Sequence, residues 1–122
     1  MNCLATSSRL TAQPWPKRII PPRRRIGSPP VEIREFQDLM ADIYRDRDAE
    51  RGVPATVAWL AEELGELAQA VRKGDQAQQV HEAADVFAWL ASLANQLDLD
   101  LEGAVERFAN GCPRCGALPC GC

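Results

Sequence analysis

The chain has 122 residues, of which 46% are hydrophobic and 25% charged, and this size and balance are typical of a single soluble domain. Residues 1–30 carry a charge of +6 with no acid, whereas the other 92 residues hold 8 basic and 17 acidic side chains and carry −9. An acidic region of this kind argues against binding nucleic acid through a broad basic face. No apolar run approaches the roughly 18 residues of a membrane-spanning helix, and the N-terminal sequence lacks the apolar core of a secretory signal. We therefore expect a cytoplasmic protein.

Residues 1–30 contain six of the nine prolines and the basic run Arg23–Arg25 between two Pro-Pro pairs. A segment of this composition cannot bury enough apolar surface to offset the entropy of ordering it, so we predict a disordered basic arm. A dispensable extension, a mis-set start codon and an organelle transit peptide are the simple explanations for this arm. An electrostatic tether to nucleic acid is the functional alternative.

Helical periodicity begins at Val31. A first helix is predicted over residues 31–50, because apolar residues recur there at three- and four-residue steps (Ile33, Phe36, Met40, Ile43, Tyr44). Gly52 is expected to end this helix, and Pro54 suits the first position of the next one. The second helix is predicted from about Ala55 to Lys73. Its continuous core stripe is expected to consist of Val57, Leu60, Leu64, Leu67 and Val71.

Two further helices follow in the sequence. Asp75 and Gln78 form the pattern of a capping box, so a third helix is predicted from this cap to about Leu97. Asp100 is placed to cap a short fourth helix over residues 101–109. No alternating run is long enough for a sheet. The sequence therefore predicts an all-α fold, a small antiparallel bundle of about four helices spanning residues 31–110. A core of this size is often completed by oligomerisation.

Five acids lie at helical spacing on either side of the Gly74-Asp75 turn: Glu62, Glu63 and Glu66 before it, Glu82 and Asp85 after it. Residues three or four apart share a helix face, and a short turn brings two antiparallel helices together, so these acids can converge. Glu82 is the most informative, since it falls in the middle of an apolar face. An unpaired carboxylate there would cost several kcal/mol or become protonated.

A divalent cation is the simplest source of the missing positive charge. The third predicted helix has no Lys or Arg, and the second has only Arg72 and Lys73 at its far end, where they suit the helix dipole. Oxygen ligands without histidine favour Mg²⁺ or Mn²⁺ over zinc or redox iron, and His81 is expected to lie off the cluster. The alternative is that these are ordinary exposed helix carboxylates, which fits Glu62 well and Glu82 poorly.

The segments E-E-L-G-E (Glu62–Glu66) and, after fifteen residues, E-A-A-D (Glu82–Asp85) resemble the EExxE…ExxD signature of MazG-like nucleoside triphosphate pyrophosphohydrolases. The similarity extends from about Val31 to the C-terminus and includes W-L-x-E-E-L-G-E-L. It implies an all-α homodimer or homotetramer that requires Mg²⁺ and cleaves a nucleotide between the α and β phosphates, releasing nucleoside monophosphate and pyrophosphate. A phosphoribosyl-ATP pyrophosphatase and a non-catalytic helical interaction module are the alternatives.

The resemblance also implies roles for individual acids. The Mg²⁺ ligands, with Mn²⁺ as a substitute ion, would be Glu63, Glu66, Glu82 and Asp85. Glu62 would be a further ligand or the base that deprotonates the attacking water, so Glu62 and Glu63 are the candidate catalytic residues.

Substrate residues are suggested by the same resemblance. Asn95 matches the family's L-A-N position, and Arg107 and Asn110 occupy places where family members often have a polar or basic residue near the phosphates. Trp59 lies beside the acids on the second predicted helix. It is either a core aromatic or a surface on which a nucleotide base stacks.

The C-terminal sequence from residue 111 is rich in cysteine, with a C-x-x-C knuckle at Cys112 and Cys115 followed by Cys120 and Cys122. Four thiolates within eleven residues suit a structural, tetrahedral Zn²⁺ with no open position for catalysis. The spacing departs from the usual pair of C-x-x-C knuckles, and disulfides or free thiols are the alternatives. Some MazG-like proteins are similar in ending with a G-C-P-x-C tail. Cys3, in the predicted arm, is expected to be inert.

Overall fold

The computed structural model describes residues 31–122, so the arm predicted over residues 1–30 lies outside the described residues. The described part is all-α, as the sequence predicted, and contains no strand. Its elements are α1 (Ile33–Arg51), α2 (Val53–Lys73), α3 (Gln76–Gln96) and α4 (Leu101–Val105), followed by a 3₁₀ turn (Glu106–Phe108). None of these helices is long and apolar enough to cross a membrane.

A single residue separates α1 from α2. Gly52 adopts a φ of +77°, a left-handed conformation that a Cβ would strain, and its amide donates to the Asp48 carbonyl at 2.9 Å. α2 begins at Val53, slightly before the predicted Ala55. Pro54 therefore lies within the first turn of α2, where its missing amide hydrogen has no helical partner to lose.

The turn between α2 and α3 follows the predicted capping pattern. The Asp75 carboxylate accepts from the Gln78 amide at 2.9 Å, and the Gln78 side chain accepts from the Asp75 amide at 3.0 Å. At the end of α2 the Gly74 amide donates to the Ala70 carbonyl at 2.8 Å. Because only Gly74 and Asp75 link the two helices, α2 and α3 form an antiparallel hairpin that brings their acids side by side.

The fourth helix is shorter than predicted. Asp100 caps it, as expected, by accepting from the Glu102 amide at 3.1 Å, but α4 ends at Val105 rather than at Ala109. The chain tightens there into the 3₁₀ turn, which the Ala109 amide closes by donating to the Glu106 carbonyl at 2.9 Å. Such tightening is common at helix ends, because i→i+3 bonds satisfy the last carbonyls.

The side chains of Gln37 and Asn95 join α1, α3 and α4. The Gln37 amide nitrogen donates to the Asn95 side-chain oxygen (3.0 Å) and to the Leu99 carbonyl (2.6 Å), and the Gln37 side-chain oxygen accepts from the Leu101 amide (3.0 Å). Asn95 in turn donates to the Gln37 carbonyl at 3.0 Å. Gln37 is buried, so this complete set of hydrogen bonds makes its burial tolerable.

α3 is the centre of the bundle, since α1 and α2 both pack mainly against it. The buried apolar residues of the described part are few and mostly small: Met40, Ala70, Ala91 and Ala94. Large hydrophobic side chains remain exposed on all three long helices, among them Ile43, Leu64 and Phe87. The single chain therefore leaves much apolar surface in water.

Only part of the stripe predicted for α2 is covered. Its members divide into half-buried Leu60 and Leu67 and exposed Val57, Leu64 and Val71. The prediction of one continuous core face was therefore wrong. The physical reason is that α2 has one main neighbour, α3, and the residues of α2 that become buried are Thr56 and Ala70.

Candidate metal centre and active site

The hairpin of α2 and α3 brings acids from both helices together. Glu63 and Glu66 on α2 and Glu82 on α3 each offer a carboxylate oxygen, and these three oxygens lie within 4.8 Å of one another. Glu63 and Glu82 are half-buried, and Glu66 is exposed. The grouping places negative charge where water is partly excluded, which is a position that a cation would stabilise.

Asp85 lies one turn further along α3, beside His81. Its Oδ2 is 3.4 Å from Nε2 of His81, and the ligand atoms of His81, Glu82 and Asp85 lie within 4.8 Å of one another. The expectation that His81 lies off the cluster was therefore wrong. The available signal was the i,i+4 spacing of His81 and Asp85, because residues four apart share a helix face.

Glu62 stands apart from both groups of converging ligand atoms in the described chain. Its side chain is exposed, whereas that of its neighbour Glu63 is half-buried. The two adjacent acids therefore face different surroundings, although the sequence pattern treats them as one pair. Glu62 faces solvent, and Glu63 faces α3.

Glu63 is the most constrained of the acids. Nε1 of Trp89 donates to its Oε1 at 3.0 Å across the contact between α2 and α3. Partial burial raises the pKa of Glu63 above its ordinary value, and the hydrogen bond from Trp89 opposes this increase. The negative charges of Asp85, Glu66 and Glu82 raise the pKa of Glu63 further. The four carboxylates therefore repel one another, and a bound cation would reverse that balance.

Trp89 is held by contacts from two other elements. Trp59 of α2 stacks on it, with ring centroids 5.9 Å apart and ring planes 13° apart. The Arg51 guanidinium, at the end of α1, lies 4.5 Å from the Trp89 ring centroid. Asp48 fixes Arg51 through a 2.6 Å ion pair and is 4% exposed, with its second carboxylate oxygen lacking a hydrogen-bond partner. A chain of contacts thus runs from Asp48 to Glu63.

One cavity adjoining the acids lies at the turn end of the hairpin. It has a volume of about 320 Å³, and Glu66 and Glu82 line it together with Lys73. The sequence pattern predicts only a helix-end charge at Lys73. The structure places this cationic residue in the same cavity as two of the candidate metal ligands.

A second cavity adjoining the acids lies between α1 and α3. It has a volume of about 220 Å³, and its lining includes Asp85 and Trp89 from α3 and Tyr44, Arg47 and Arg51 from α1. Two guanidinium groups therefore lie on the wall that Asp85 shares. No local sequence pattern indicates either arginine, because their closeness to Asp85 depends on how α1 packs against α3.

The four predicted substrate residues do not gather in these two cavities. Trp59 stacks on Trp89 and is 45% exposed. Asn95 is engaged in the junction between α1 and α3. Arg107 and Asn110 are exposed, within and just after the 3₁₀ turn. Trp59 is therefore the one of the four that contacts a residue hydrogen-bonded to the acids.

The donor atoms suit a hard divalent cation. Glu63, Glu66 and Glu82 offer oxygen alone, and Mg²⁺ prefers oxygen ligands, keeps several waters and bridges carboxylates to phosphates. Carboxylate sets of this type also suit Mn²⁺. The group of Glu63, Glu66 and Glu82 thus fits the ion that the sequence pattern suggested, whereas the adjoining group of Glu82 and Asp85 also includes the imidazole of His81.

The four C-terminal cysteines also come together. Their sulfur atoms all lie within 4.8 Å of one another, and all four thiols are free: Cys112, Cys115, Cys120 and Cys122. Hydrogen bonds from the backbone amides of Ala117 and Gly121 lower the pKa of Cys115 to about 6. The neighbouring thiols, Cys120 first, raise the pKa of Cys122 to about 12.

A helical hairpin with acids on both arms is an arrangement in which α-helical proteins can build carboxylate metal sites between facing helices. The family model described as MazG nucleotide pyrophosphohydrolase domain matches residues 51–114, just over half of the 122 residues. The chain therefore belongs to the MazG nucleotide pyrophosphohydrolase family, which confirms the resemblance drawn from its motifs. The matched residues include all five acids and end between Cys112 and Cys115. No curated protein matches the chain.

Proposed function

We propose that this protein is a Mg²⁺-dependent nucleotide pyrophosphohydrolase that cleaves nucleoside triphosphates between the α and β phosphates, releasing nucleoside monophosphate and pyrophosphate. Membership of the MazG family supports pyrophosphohydrolase chemistry. The observation that carries the proposal is the convergence of Glu63, Glu66 and Glu82 within 4.8 Å across two helices. Such a grouping is repulsive unless a cation binds it.

The proposed Mg²⁺ ligands are Glu63, Glu66, Glu82 and Asp85, and Mn²⁺ would substitute for Mg²⁺. When bound, the ion lowers the pKa of a coordinated water and neutralises charge on the substrate phosphates. The protein's part is to fix the carboxylates in advance. The α2–α3 hairpin sets the backbone, and the hydrogen bond from Trp89 to Oε1 of Glu63 orients the carboxylate that would hold the ion.

Glu62 is proposed as the general base. It is exposed and lies outside both groups of converging ligand atoms among the described residues, so its carboxylate can accept a proton from the attacking water. Glu63, the other catalytic candidate, acts as a ligand because its carboxylate faces α3 and bonds to Trp89. This division assigns different roles to two residues that are adjacent in the chain.

Positive charge for the substrate phosphates is proposed to come from α1. Arg47 and Arg51 line the cavity of about 220 Å³ that also reaches Asp85. Guanidinium groups bind phosphate oxygens with two parallel hydrogen bonds, so this wall suits a triphosphate bridged to the acids by Mg²⁺. The exposed surface of Trp59 is available for stacking on a base. Asn95, Arg107 and Asn110 stay predictions as substrate residues.

A second copy of the chain is proposed to cover the exposed stripe of α2, giving a homodimer or homotetramer. Val57, Leu64 and Val71 recur every seven residues, so they share one helix face, and they are 47%, 58% and 64% exposed. The buried apolar residues of the described part are Met40 and three alanines. A chain of this size with so small a core generally needs a partner surface.

The oligomer is tested by size-exclusion chromatography with light scattering. Leu64→Glu is expected to reduce the mass to that of one chain, because the new carboxylate would be buried at the interface. Leu118→Glu, at a tail position that is 88% exposed, is the matched control and should keep the mass of the wild type. An unchanged mass for Leu64→Glu would contradict this interface.

The activity is tested with a panel of nucleoside triphosphates and phosphoribosyl-ATP in the presence of Mg²⁺, with products identified by phosphorus NMR. Wild type and Glu50→Gln, a change on the exposed surface of α1, should release pyrophosphate. Glu82→Gln should lower the rate at least about a hundredfold, because it removes a charged ligand. Orthophosphate release, or equal rates for Glu82→Gln and wild type, would overturn the proposal.

Two other outcomes of the same panel separate the alternatives. Turnover of phosphoribosyl-ATP alone would reassign the enzyme as a phosphoribosyl-ATP pyrophosphatase. Absence of Mg²⁺-dependent turnover with every substrate would favour a non-catalytic helical module.

A further inference from the structure

We propose that the C-terminal tail, residues 111–122, holds a structural Zn²⁺ ion on the sulfur atoms of Cys112, Cys115, Cys120 and Cys122. This proposal does not rest on the pyrophosphohydrolase activity. Three of the four cysteines lie beyond the residues that the family model matches, so the family match says nothing about them.

The spacing of the sulfur atoms fits a single tetrahedral ion. The sulfurs of Cys112 and Cys122 are 3.8 Å apart, and those of Cys115 and Cys120 are 3.9 Å apart. Zn–S bonds of about 2.3 Å in a tetrahedron place the sulfurs about 3.8 Å from one another. The sulfurs of Cys120 and Cys122, which are two positions apart in the chain, are closer at 3.2 Å. Two opposite edges of the tetrahedron therefore have the length that zinc requires.

Little besides the cysteines holds the tail together. The described segment after residue 110 has no helix or strand, and its apolar residue Leu118 is 88% exposed. Its own backbone hydrogen bonds run from the Gly116 amide to the Cys112 carbonyl at 2.7 Å and from the Cys112 amide to the Ala117 carbonyl at 3.1 Å. So few bonds do not offset the entropy of ordering the segment. A metal ion that binds only the folded tail supplies the missing free energy.

Sulfur chemistry selects the ion. Four thiolates form a soft tetrahedral set that suits Zn²⁺ and rejects Mg²⁺, which prefers oxygen ligands in octahedral geometry. With four protein ligands, the ion has no open position for water or substrate. Its role is therefore to fix the conformation of the tail, separately from the carboxylate centre on the hairpin.

The test is metal analysis of the full-length protein purified without chelators. We expect about one zinc per chain in the wild type and in Cys3→Ser, which changes a cysteine outside the tail. Cys115→Ser and Cys120→Ser should each lose the zinc. Exchange for Co²⁺ should produce the sulfur-to-metal charge-transfer absorption of a tetrahedral thiolate site.

A second measurement uses the wild type alone, so it does not depend on how the variants fold. Under native conditions, alkylation should spare the four tail cysteines until a chelator removes the ion. Wild type without zinc, iron in place of zinc, zinc retained by both tail variants, or disulfides in the freshly purified tail would each overturn the proposal. Pyrophosphate release measured on the same samples reports on the other proposal independently.

Discussion

The carboxylate cluster and the cysteine cluster are built in opposite ways. The carboxylates lie on α2 and α3, two long helices whose caps and mutual packing fix the acids before any ion binds. The cysteines lie in a segment without helix or strand, where the sulfur atoms of the proposed ligands contact one another. In the first region the fold positions carboxylates that repel one another, and in the second the proposed ion would position the chain. Loss of metal should therefore cost the first region its activity and the second its structure.

The largest effect that tests this contrast is expected from Asp85→Ala. Removing this proposed ligand should lower kcat/KM about a thousandfold, because the ion and the charge that it neutralises on the phosphates are both disturbed. The helices should remain, and Tm without Mg²⁺ should be equal or higher, since Asp85 adds to the repulsion around Glu63. Pyrophosphate release and melting followed by circular dichroism measure both effects.

Asp42→Ala, on the exposed surface of α1, is the matched control for this change and should behave as the wild type. A large fall in Tm for Asp85→Ala would show that the acids hold the hairpin together. That result would remove the distinction between the two clusters.

A smaller effect is expected from Trp89→Phe. The change removes the 3.0 Å hydrogen bond from Trp89 to Glu63. A hydrogen bond to a charged group typically contributes a net free energy of about 1.5 kcal/mol, so Mg²⁺-dependent activity should fall about tenfold. Because this bond lowers the pKa of Glu63, its loss should raise that pKa. The acidic limb of the pH–rate profile should then move to higher pH.

The control for Trp89→Phe is Trp59→Phe, which alters the stack but keeps the hydrogen bond to Glu63. Its acidic limb should stay where the wild type has it. If the acidic limb moved equally in both variants, the stacking of the two indoles, and not the hydrogen bond, would control the pKa of Glu63.

The smallest effect concerns stability and pH. A carboxyl group whose pKa is raised by folding destabilises the native state at pH values above that folded pKa, and the penalty disappears as the pH falls to the range of the unfolded pKa. Glu63 has such a raised pKa. Mg²⁺ should offset the penalty, so it should raise Tm by a few degrees at about pH 8 and by less at about pH 5. Thermal melts with and without Mg²⁺ measure this, and equal increments at both pH values would contradict it.

Much of the fold followed from local signals in the sequence. The capping box of Asp75 and Gln78, the cap at Asp100 and the stop at Gly52 all appear where they were predicted. Each of these helix ends depends on residues within four positions of one another, so the local sequence determines it without help from tertiary packing. The α2 stripe failed because helical spacing gives the direction of a side chain but not the number of neighbouring helices. Leu64 points along the expected stripe, and the described chain leaves it 58% exposed.

The candidate site was partly predictable for the same reason. Acids at i,i+3 spacing on two linked helices predicted a convergence that the structure shows for Glu63, Glu66 and Glu82. The bond from Trp89 to Glu63 joins residues 26 positions apart and depends on the rotation of one helix against the other. Arg51 reaches Trp89 only because α1 packs on α3. Such contacts depend on how the helices pack, so no local sequence pattern predicts them.

The stacked pair Trp59–Trp89 also gives the centre an intrinsic fluorescence signal. Indole emission responds to nearby charge and hydrogen bonding, and Trp89 bonds directly to Glu63 while Arg51 lies against its ring. The chain has three tryptophans, and Trp15 lies outside the described residues. A Trp15→Phe protein would therefore emit only from the pair beside the acids. Binding of an ion or a nucleotide at the centre could then be measured by intrinsic tryptophan fluorescence, in real time and without a label.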